Sequence, residues 1–543
     1  MNGLMMDVPL TINSIMDHAE RVHGKEEIVS VTKDNPRHRY TYREAFARAR
    51  KLADALSHWD LARGDRLATL AWNDYRHFET YYASACSGYV CHTINPRLFP
   101  EQIVYIINHA EDKAVFVDPD FMPLIEAVAG QCPLVEHWVV LAPASLMPES
   151  GLANVVCYED FVESGSEAFA WPKIDENDAC ALCYTSGTTG NPKGVLYSHR
   201  STMLHAYASL MPDTMGVSGR DAVLPIVPMF HVNAWGTPYA CPMVGAKLVF
   251  PGNKMGDGPT LSALINEEGV TKSAGVPTVW LGLLAHLKQS GETIESMTMV
   301  VVGGAACPLS VMEDFDRYGV ETRVGWGMTE MSPLGSVNES TPARESYGEE
   351  AFAKQRLKAG RPVFGVEMKI VDDAGKELPW DGVAFGSLKV RGPWICSNYY
   401  KLEGESSAHA EDGWFETGDV ATIDPDGYMA ITDRTKDVIK SGGEWISSID
   451  VENVATDHPK VAEAAVIGRY HPKWSERPLL VVVKAPGADD LSADEMLAWF
   501  DGKIAKWWVP DAVEFVDELP HGATGKIHKV GLREQFKDYA FPG

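Results

Sequence analysis

Short, mostly apolar runs alternate with longer amphipathic stretches over the first two thirds of the chain. Residues 66–71, 114–117 and 138–141 are such runs, as are 181–183 and the stretch from 221 to 228. Each is too short for a helix and is followed by a turn signal, so each reads as a buried strand. Between them, residues 42–59 place Phe46, Ala49, Leu52 and Leu56 at helical spacing. Thr41, with Glu44 three positions later, predicts a capping box at that helix's start. Residues 78–87 predict the next helix. Helices alternating with such short apolar strands imply parallel sheets covered on both faces.

The pattern changes near Lys369. Residues 368–371, 386–391 and 428–432 are short alternating strands between Asp, Gly and Pro turns, a small β-rich unit. Residues 433–437 form a charged connector, after which 462–468 and 479–484 read as strands. Ser492 and Glu495 predict a second capping box, opening a helix with Leu497, Phe500 and Ile504 on one face. The expected division is 1–435 and 436–543. The predicted class is α/β: a large N-terminal domain of parallel-rich sheets flanked by helices with a small β-rich unit, then a small mobile α+β C-terminal domain.

The candidate chemistry sits in loops after strands. Tyr184-Thr185-Ser186-Gly187-Thr188-Thr189-Gly190-Asn191-Pro192-Lys193-Gly194 follows the run at 181–183. Glycines let backbone N–H groups approach an anion, hydroxyls add donors and Lys193 supplies a cation, so the loop suits phosphate oxygens. It is not a Walker A loop, because no Gly-Lys-Ser/Thr lies five residues after Gly187 or Gly190. Met229-Phe230-His231-Val232-Asn233-Ala234-Trp235 ends another apolar run, at the place where open α/β sheets put ligands. Residues 299–306, with Gly303, Gly304 and Ala305, repeat the strand-then-small-turn pattern. Gly325-Trp326-Gly327-Met328-Thr329-Glu330 would let a planar ring lie against backbone, and its carboxylate is a hard oxygen ligand suited to Mg²⁺.

Composition narrows the class. The 543 residues, 45% hydrophobic and 23% charged, are those of a globular protein. A formal charge of −27, with no basic cluster, argues against nucleic acid. The nine cysteines do not resemble a disulfide framework. Cys180 and Cys183, three apart in a strand, point to opposite faces with no second pair to complete a metal site. The start of the chain has no basic segment followed by a long apolar one, and residues 297–307 are too short and glycine-rich to span a bilayer. No integral membrane segment and a cytoplasmic location are expected.

The loop 184–194 resembles the AMP-binding signature of the adenylate-forming superfamily, which includes acyl-CoA synthetases, peptide-synthetase adenylation domains and luciferase. Residues 325–330, 413–419, 433–443 and 523–526 match further blocks in order. Residues 228–235 and 440–448 look like the medium- and long-chain fatty acyl-CoA synthetases of bacteria. Within that group the chain is most similar to the 3-methylmercaptopropionate-CoA ligases, which act in dimethylsulfoniopropionate breakdown.

The resemblance implies ATP, Mg²⁺ and coenzyme A, a small carboxylic acid as substrate, and two half-reactions through acyl-AMP. By that resemblance Thr185, Ser186, Gly187, Thr188, Thr189, Gly190 and Lys193 would hold the β- and γ-phosphates. Glu330 would hold Mg²⁺, with Thr329 near the α-phosphate. Gly304, Ala305, Trp326, Gly327 and Met328 would enclose adenine, and Asp419 with Arg434 would bind the ribose. Lys526 would be the adenylation lysine, and Lys436 the hinge. His231, Trp235, Gly303 and Pro333 would line the acyl site, and Lys440, Gly442, Gly443 and Glu444 the CoA tunnel. Amino-acid activators carry an aspartate where His231 stands, which disfavours that class; a luciferase-like oxygenase shares the ligase chemistry. Related synthetases imply a homodimer formed through the N-terminal portion.

Overall fold

The apolar runs pair as expected into parallel sheets. The computed structural model describes every residue except 2, 186–190, 340–346, 403, 405, 410–412, 435–436, 442–443, 522–526 and 542–543, and of 407, 440, 444 and 445 the backbone alone. By internal packing the chain forms two units. The first comprises Met1–Gly187, Asn191–Glu367 and Arg391–Ser406; the second comprises Met368–Val390 and Ser407–Gly543. The four-stranded sheet thus packs with the C-terminal segment.

In the first unit, one sheet has the order Val155–Cys157, His137–Val140, Asp112–Val117, Arg66–Leu70, Val90–Thr93, Ala179–Tyr184, Gly194–Ser198. All neighbours are parallel except the last pair, an antiparallel hairpin. A nine-stranded sheet runs Arg361–Pro362, Leu334–Asn338, Glu321–Gly327, Met299–Val302, Lys272–Gly275, Ala222–Pro225, Lys247–Phe250, Glu27–Ser30, His38–Thr41. Its six central strands are parallel and its edges antiparallel.

Helix Tyr42–Ser57 is capped by Thr41 and Glu44 in a reciprocal box, as predicted. It buries Phe46 against Phe78 and Tyr82 of the next helix, and Leu52 and Leu56 against Leu67, Ala114 and Phe116 of the seven-stranded sheet. The next helix, Tyr75–Cys86, starts earlier than residue 78, because the Asp74 carboxylate accepts the His77 N–H and fixes the first turn there.

In the second unit, an antiparallel sheet runs Glu367–Val371, Phe385–Arg391, Phe415–Ile423, Met429–Arg434. A five-stranded sheet contains the hairpin Val461–His471 and Ser475–Lys484, with Ala512–Phe515 parallel to the latter. Ser492 caps the helix Ala493–Trp499 by accepting the Glu495 N–H. That helix is shorter than the apolar spacing suggests, so Ile504 lies beyond its end. Gly502, at φ 72°, turns the chain away, and Ile504 packs on the sheet core from the following segment.

All nine cysteines are free. Cys180 Sγ lies 3.3 Å from Thr202 Oγ1, and Cys183 Sγ 3.3 Å from Thr93 Oγ1 in a neighbouring strand, so both act as buried packing residues. Among the described residues no cluster of His, Cys, Asp and Glu could hold a metal, and no helix is long and apolar enough to cross a membrane.

Candidate active site

The nine-stranded sheet has a topological switch point. From Ala222–Pro225 the chain crosses to Lys247–Phe250 on one side, and from the adjacent Lys272–Gly275 it crosses to Met299–Val302 on the other. Open α/β sheets place ligands outside the carboxyl ends of the strands at such a point. The loops leaving these strands carry His231 to Trp235 and Val276; the next two strands lead into Gly303 to Ala305 and, from Trp326 and Gly327 at the strand's own end, into Met328 to Glu330.

The His231–Trp235 loop is strained. Val232, Asn233, Ala234 and Trp235 have φ of 43°, 52°, 49° and 54°, followed by Gly236 at 78°. A left-handed turn costs roughly 1–2 kcal/mol per non-glycine residue, about 4–8 kcal/mol here, so its surroundings must impose it. Asn73 does so from below: its Nδ2 donates to the Pro225 and Val227 carbonyls at 2.9 Å, and its Oδ1 accepts the Met229 N–H at 2.6 Å. Tyr81 donates its hydroxyl to the Met229 carbonyl at 2.5 Å and lies 3.2 Å from Asn233 Oδ1.

A Cβ on Gly236 would come within 2.7 Å of His205 Nδ1. The fully buried His205 accepts the Leu334 N–H at Nε2, and burial pushes its pKa down to about 3, so the ring is neutral. Trp235 is half-buried and His231 exposed. The indole lies against Gly303, where a Cβ would approach its Cη2 to 2.6 Å and the Gly325 carbonyl to 2.9 Å. The structure therefore brings Trp235, Gly303 and Gly325 together, as the strand order requires.

The turn from Trp326 to Glu330 is also closed by glycine contacts. A β-bulge falls between Trp326 and Gly327, and a Cβ on Gly327 would meet the Pro333 carbonyl at 1.8 Å. Trp326 packs on Gly335, and Met328 donates its N–H to the Pro333 carbonyl at 3.1 Å. Gly304 and Ala305 are exposed, with Gly304 at φ 80°.

Glu330 lies in a short 3₁₀ turn, Thr329–Met331, and is buried. Its carboxylate accepts the Tyr399 hydroxyl at 2.8 Å, and its backbone carbonyl accepts the Cys396 N–H at 2.8 Å. The Tyr197 hydroxyl donates to the Thr329 carbonyl at 2.5 Å. Lys193 Nζ sits 4.6 Å from the centroid of the Tyr399 ring, whose phenol is raised far above its ordinary pKa by burial and then by Glu330. At the foot of the glycine/threonine loop, the Thr185 N–H donates to the Lys193 carbonyl at 2.9 Å. Tyr399 thus connects Lys193 with Glu330. Sequence reasoning missed it, because it belongs to no phosphate, metal or nucleotide pattern.

In the second unit, the buried Asp419 pairs with Arg434 across adjacent strands, Oδ1 to Nε at 2.8 Å. Buried Asp433 accepts the Ser448 N–H at 2.5 Å and its hydroxyl at 3.0 Å. Lys529 donates to Ser448 Oγ at 2.6 Å and pairs with Glu452 at 2.7 Å. Burial raises the carboxyls of Asp433 and Glu452, an effect the Lys529 ammonium opposes. Lys440 and Glu444 lie on the paired strands Ile439–Ser441 and Glu444–Ile446. Ser186, Gly187, Thr188, Thr189, Gly190, Lys436, Gly442, Gly443 and Lys526 lie outside the described residues.

Residues 16–400 match the AMP-binding enzyme family, and residues 450–526 match the AMP-binding enzyme C-terminal domain. The chain belongs to the AMP-binding enzyme family. Among relatives, the 3-methylmercaptopropionyl-CoA ligase of Ruegeria lacuscaerulensis is 54% identical over 99% of this chain and 99% of its own length. The medium-chain-fatty-acid–CoA ligase of Ectopseudomonas oleovorans is 51% identical over 99% and 98%. Among solved structures, the anthranilate CoA ligase AuaEII in complex with anthranoyl-AMP superposes with a TM-score of 0.85 at 26% identity, covering 98% of each chain. ATP-bound MatB from Rhodopseudomonas palustris superposes at 0.83 and 27% identity, over 98% of this chain and 99% of its own. This AMP-binding enzyme is an adenylate-forming acyl-CoA ligase, using ATP, Mg²⁺ and CoA.

Proposed function

We propose that this ligase activates 3-methylmercaptopropionate or another short- to medium-chain acid, with the residues above in specific roles. The observation that carries the reading of the site is the chain of contacts from Lys193 through Tyr399 to Glu330. It aligns a cation from the glycine/threonine loop with a buried carboxylate. Thr185 and Lys193, with residues 186–190, hold the pyrophosphate end of ATP. Glu330 is a hard oxygen donor already oriented by Tyr399, which fits Mg²⁺; bound there, the ion supplies neutralising charge for the phosphates. Trp326 and the Gly304–Ala305 backbone enclose adenine, and Asp419 with Arg434 binds the ribose.

In the first half-reaction a substrate carboxylate oxygen attacks the α-phosphorus and the bond to the β-phosphate oxygen breaks, releasing pyrophosphate. Lys526 provides the ammonium that bridges carboxylate and α-phosphate, where charge concentrates. In the second, the CoA sulfur attacks the acyl carbon and AMP leaves. The C-terminal domain, 436–543, rotates between the two about Lys436, withdrawing Lys526 and presenting Lys440 to Glu444 along the pantetheine path.

Trp235 against Gly303 closes the acyl site with an indole face, which suits a thioether sulfur. The full-length likeness to a 3-methylmercaptopropionyl-CoA ligase supports that substrate, and the 51% likeness to a medium-chain ligase favours an alkyl chain as the second reading. Comparing kcat/KM for 3-methylmercaptopropionate with acids from acetate to palmitate tests it; a preference for twelve carbons or more contradicts it. The protein is further read as a cytoplasmic homodimer. Leu4, Met5, Met6 and Val8 are strongly exposed along the N-terminal segment, apolar surface that a second copy would cover. Light scattering of the protein in solution checks the dimer.

A further inference from the structure

The hairpin formed by Ala179–Tyr184 and Gly194–Ser198 carries the glycine/threonine loop, and Tyr184 opposite Gly194 is its last pair. This pair is gripped from two sides. The Tyr184 hydroxyl is hydrogen-bonded to His109 Nδ1 at 2.7 Å, at the end of helix Pro100–Ala110. Tyr400 donates its N–H to the Gly194 carbonyl at 2.8 Å, and its ring stands edge-on to His109 at 5.8 Å. A Cβ on Gly194 would lie 3.2 Å from both Tyr184 and Tyr400, so glycine lets the two close on the hairpin.

Tyr400 belongs to a three-residue strap, residues 399–401, that reaches further. Tyr399 bonds Glu330 and lies under Lys193, while Lys401 donates to the His109 carbonyl at 3.0 Å and pairs with Glu111 at 2.7 Å. The strap thus fastens to the end of the helix beside His109, to the closing pair of the loop and to Glu330. Beneath it, Val90, Ala110 and Leu182 form an apolar floor for Tyr184 and Tyr400. The His109 imidazole adds a directional bond that fixes Tyr184.

We propose that His109 is a positioning residue for ATP, acting through the Tyr184 hydroxyl and the Tyr400–Lys401 strap to set the mouth of the phosphate-holding loop. This rests on the reading that the loop holds the phosphates of ATP. Burial, then Lys401, lowers the His109 pKa, so a neutral ring faces Tyr184 at neutral pH.

The test compares steady-state kinetics and thermal unfolding of His109→Ala, His109→Asn, Tyr184→Phe and the double variant His109→Ala/Tyr184→Phe. His109→Ala and Tyr184→Phe are each expected to raise KM for ATP about five- to tenfold, with KM for acid and CoA held within about twofold. The double variant should be no worse than either single one, and His109→Asn, whose amide can replace Nδ1, should recover most of the loss. Unchanged KM for ATP, or equal losses for all three substrates with lowered unfolding temperature, overturns the proposal. Tyr184→Phe removes one hydroxyl and carries the test should His109→Ala fold poorly. Lys193→Ala separates the two readings. If it raises KM for ATP while His109→Ala does not, the proposal about His109 falls alone; if Lys193→Ala leaves that KM unchanged, the loop reading falls.

Discussion

Replacing Asn73 by alanine should detach the His231–Trp235 turn, proposed above to line the acyl site, from its support. Asn73 is wholly buried and makes three hydrogen bonds, two to carbonyls at 2.9 Å and one from the Met229 N–H at 2.6 Å. At about 1 kcal/mol net for each, the loss is about 3 kcal/mol. That offsets part of the roughly 4–8 kcal/mol by which four non-glycine residues resist the left-handed turn, Tyr81 supplying more. If about 1.4 kcal/mol of the loss appears as misplacement of Trp235, KM for the acid rises about tenfold while KM for ATP stays near wild type. Denaturant unfolding and steady-state kinetics with each substrate varied provide the assay. Tyr81→Phe, losing the hydroxyl that serves Met229 and Asn233, should show the same pattern at about half the magnitude. Unfolding free energy unchanged within about 0.5 kcal/mol, or equal effects on acid and ATP, would refute the reasoning.

Further expectations follow from the same geometry. Tyr399→Phe removes the donor to Glu330 and should raise the Mg²⁺ concentration for half-maximal rate about five- to tenfold without changing KM for the acid. Lys526→Ala should abolish acyl-AMP formation yet spare thioester formation from supplied acyl-AMP, and Lys436→Pro should do the reverse; equal loss of both half-reactions in either variant contradicts the two-state scheme. His205 has a folded pKa of about 3 against an ordinary 6.5, so the unfolded chain binds its proton first, and the stability it contributes is lost as pH falls from 6.5 toward 3. His205→Gln should flatten the fall of unfolding free energy by about 1.4 kcal/mol per pH unit between pH 6 and 4; identical slopes contradict a neutral buried ring.

Much of this architecture is legible in the chain because it is written locally. Thr41 and Glu44 cap their helix as their spacing predicts, and the apolar runs at 66–71 and 114–117 pair as parallel neighbours. The eleven residues 184–194 carry the resemblance to the adenylate-forming superfamily, and the family match over residues 16–400 agrees with it. The left-handed turn does not declare itself: Val232 and Ala234 have no preference for positive φ, and the constraint comes from Asn73 and Tyr81, some 150 positions earlier. Tyr399 is equally silent, since an isolated tyrosine gains meaning only when folding sets it between Lys193 and Glu330. Ile504 fits a helical face by spacing, but the chain leaves the helix before reaching it.

The most direct test of the account is acid-dependent isotope exchange between pyrophosphate and ATP in the absence of CoA. The account predicts exchange that requires 3-methylmercaptopropionate or a related short acid and Mg²⁺, and that is lost in Lys526→Ala. Exchange that instead requires an amino acid, or no exchange under conditions where the enzyme forms the thioester once CoA is added, would contradict activation through acyl-AMP of the proposed acid.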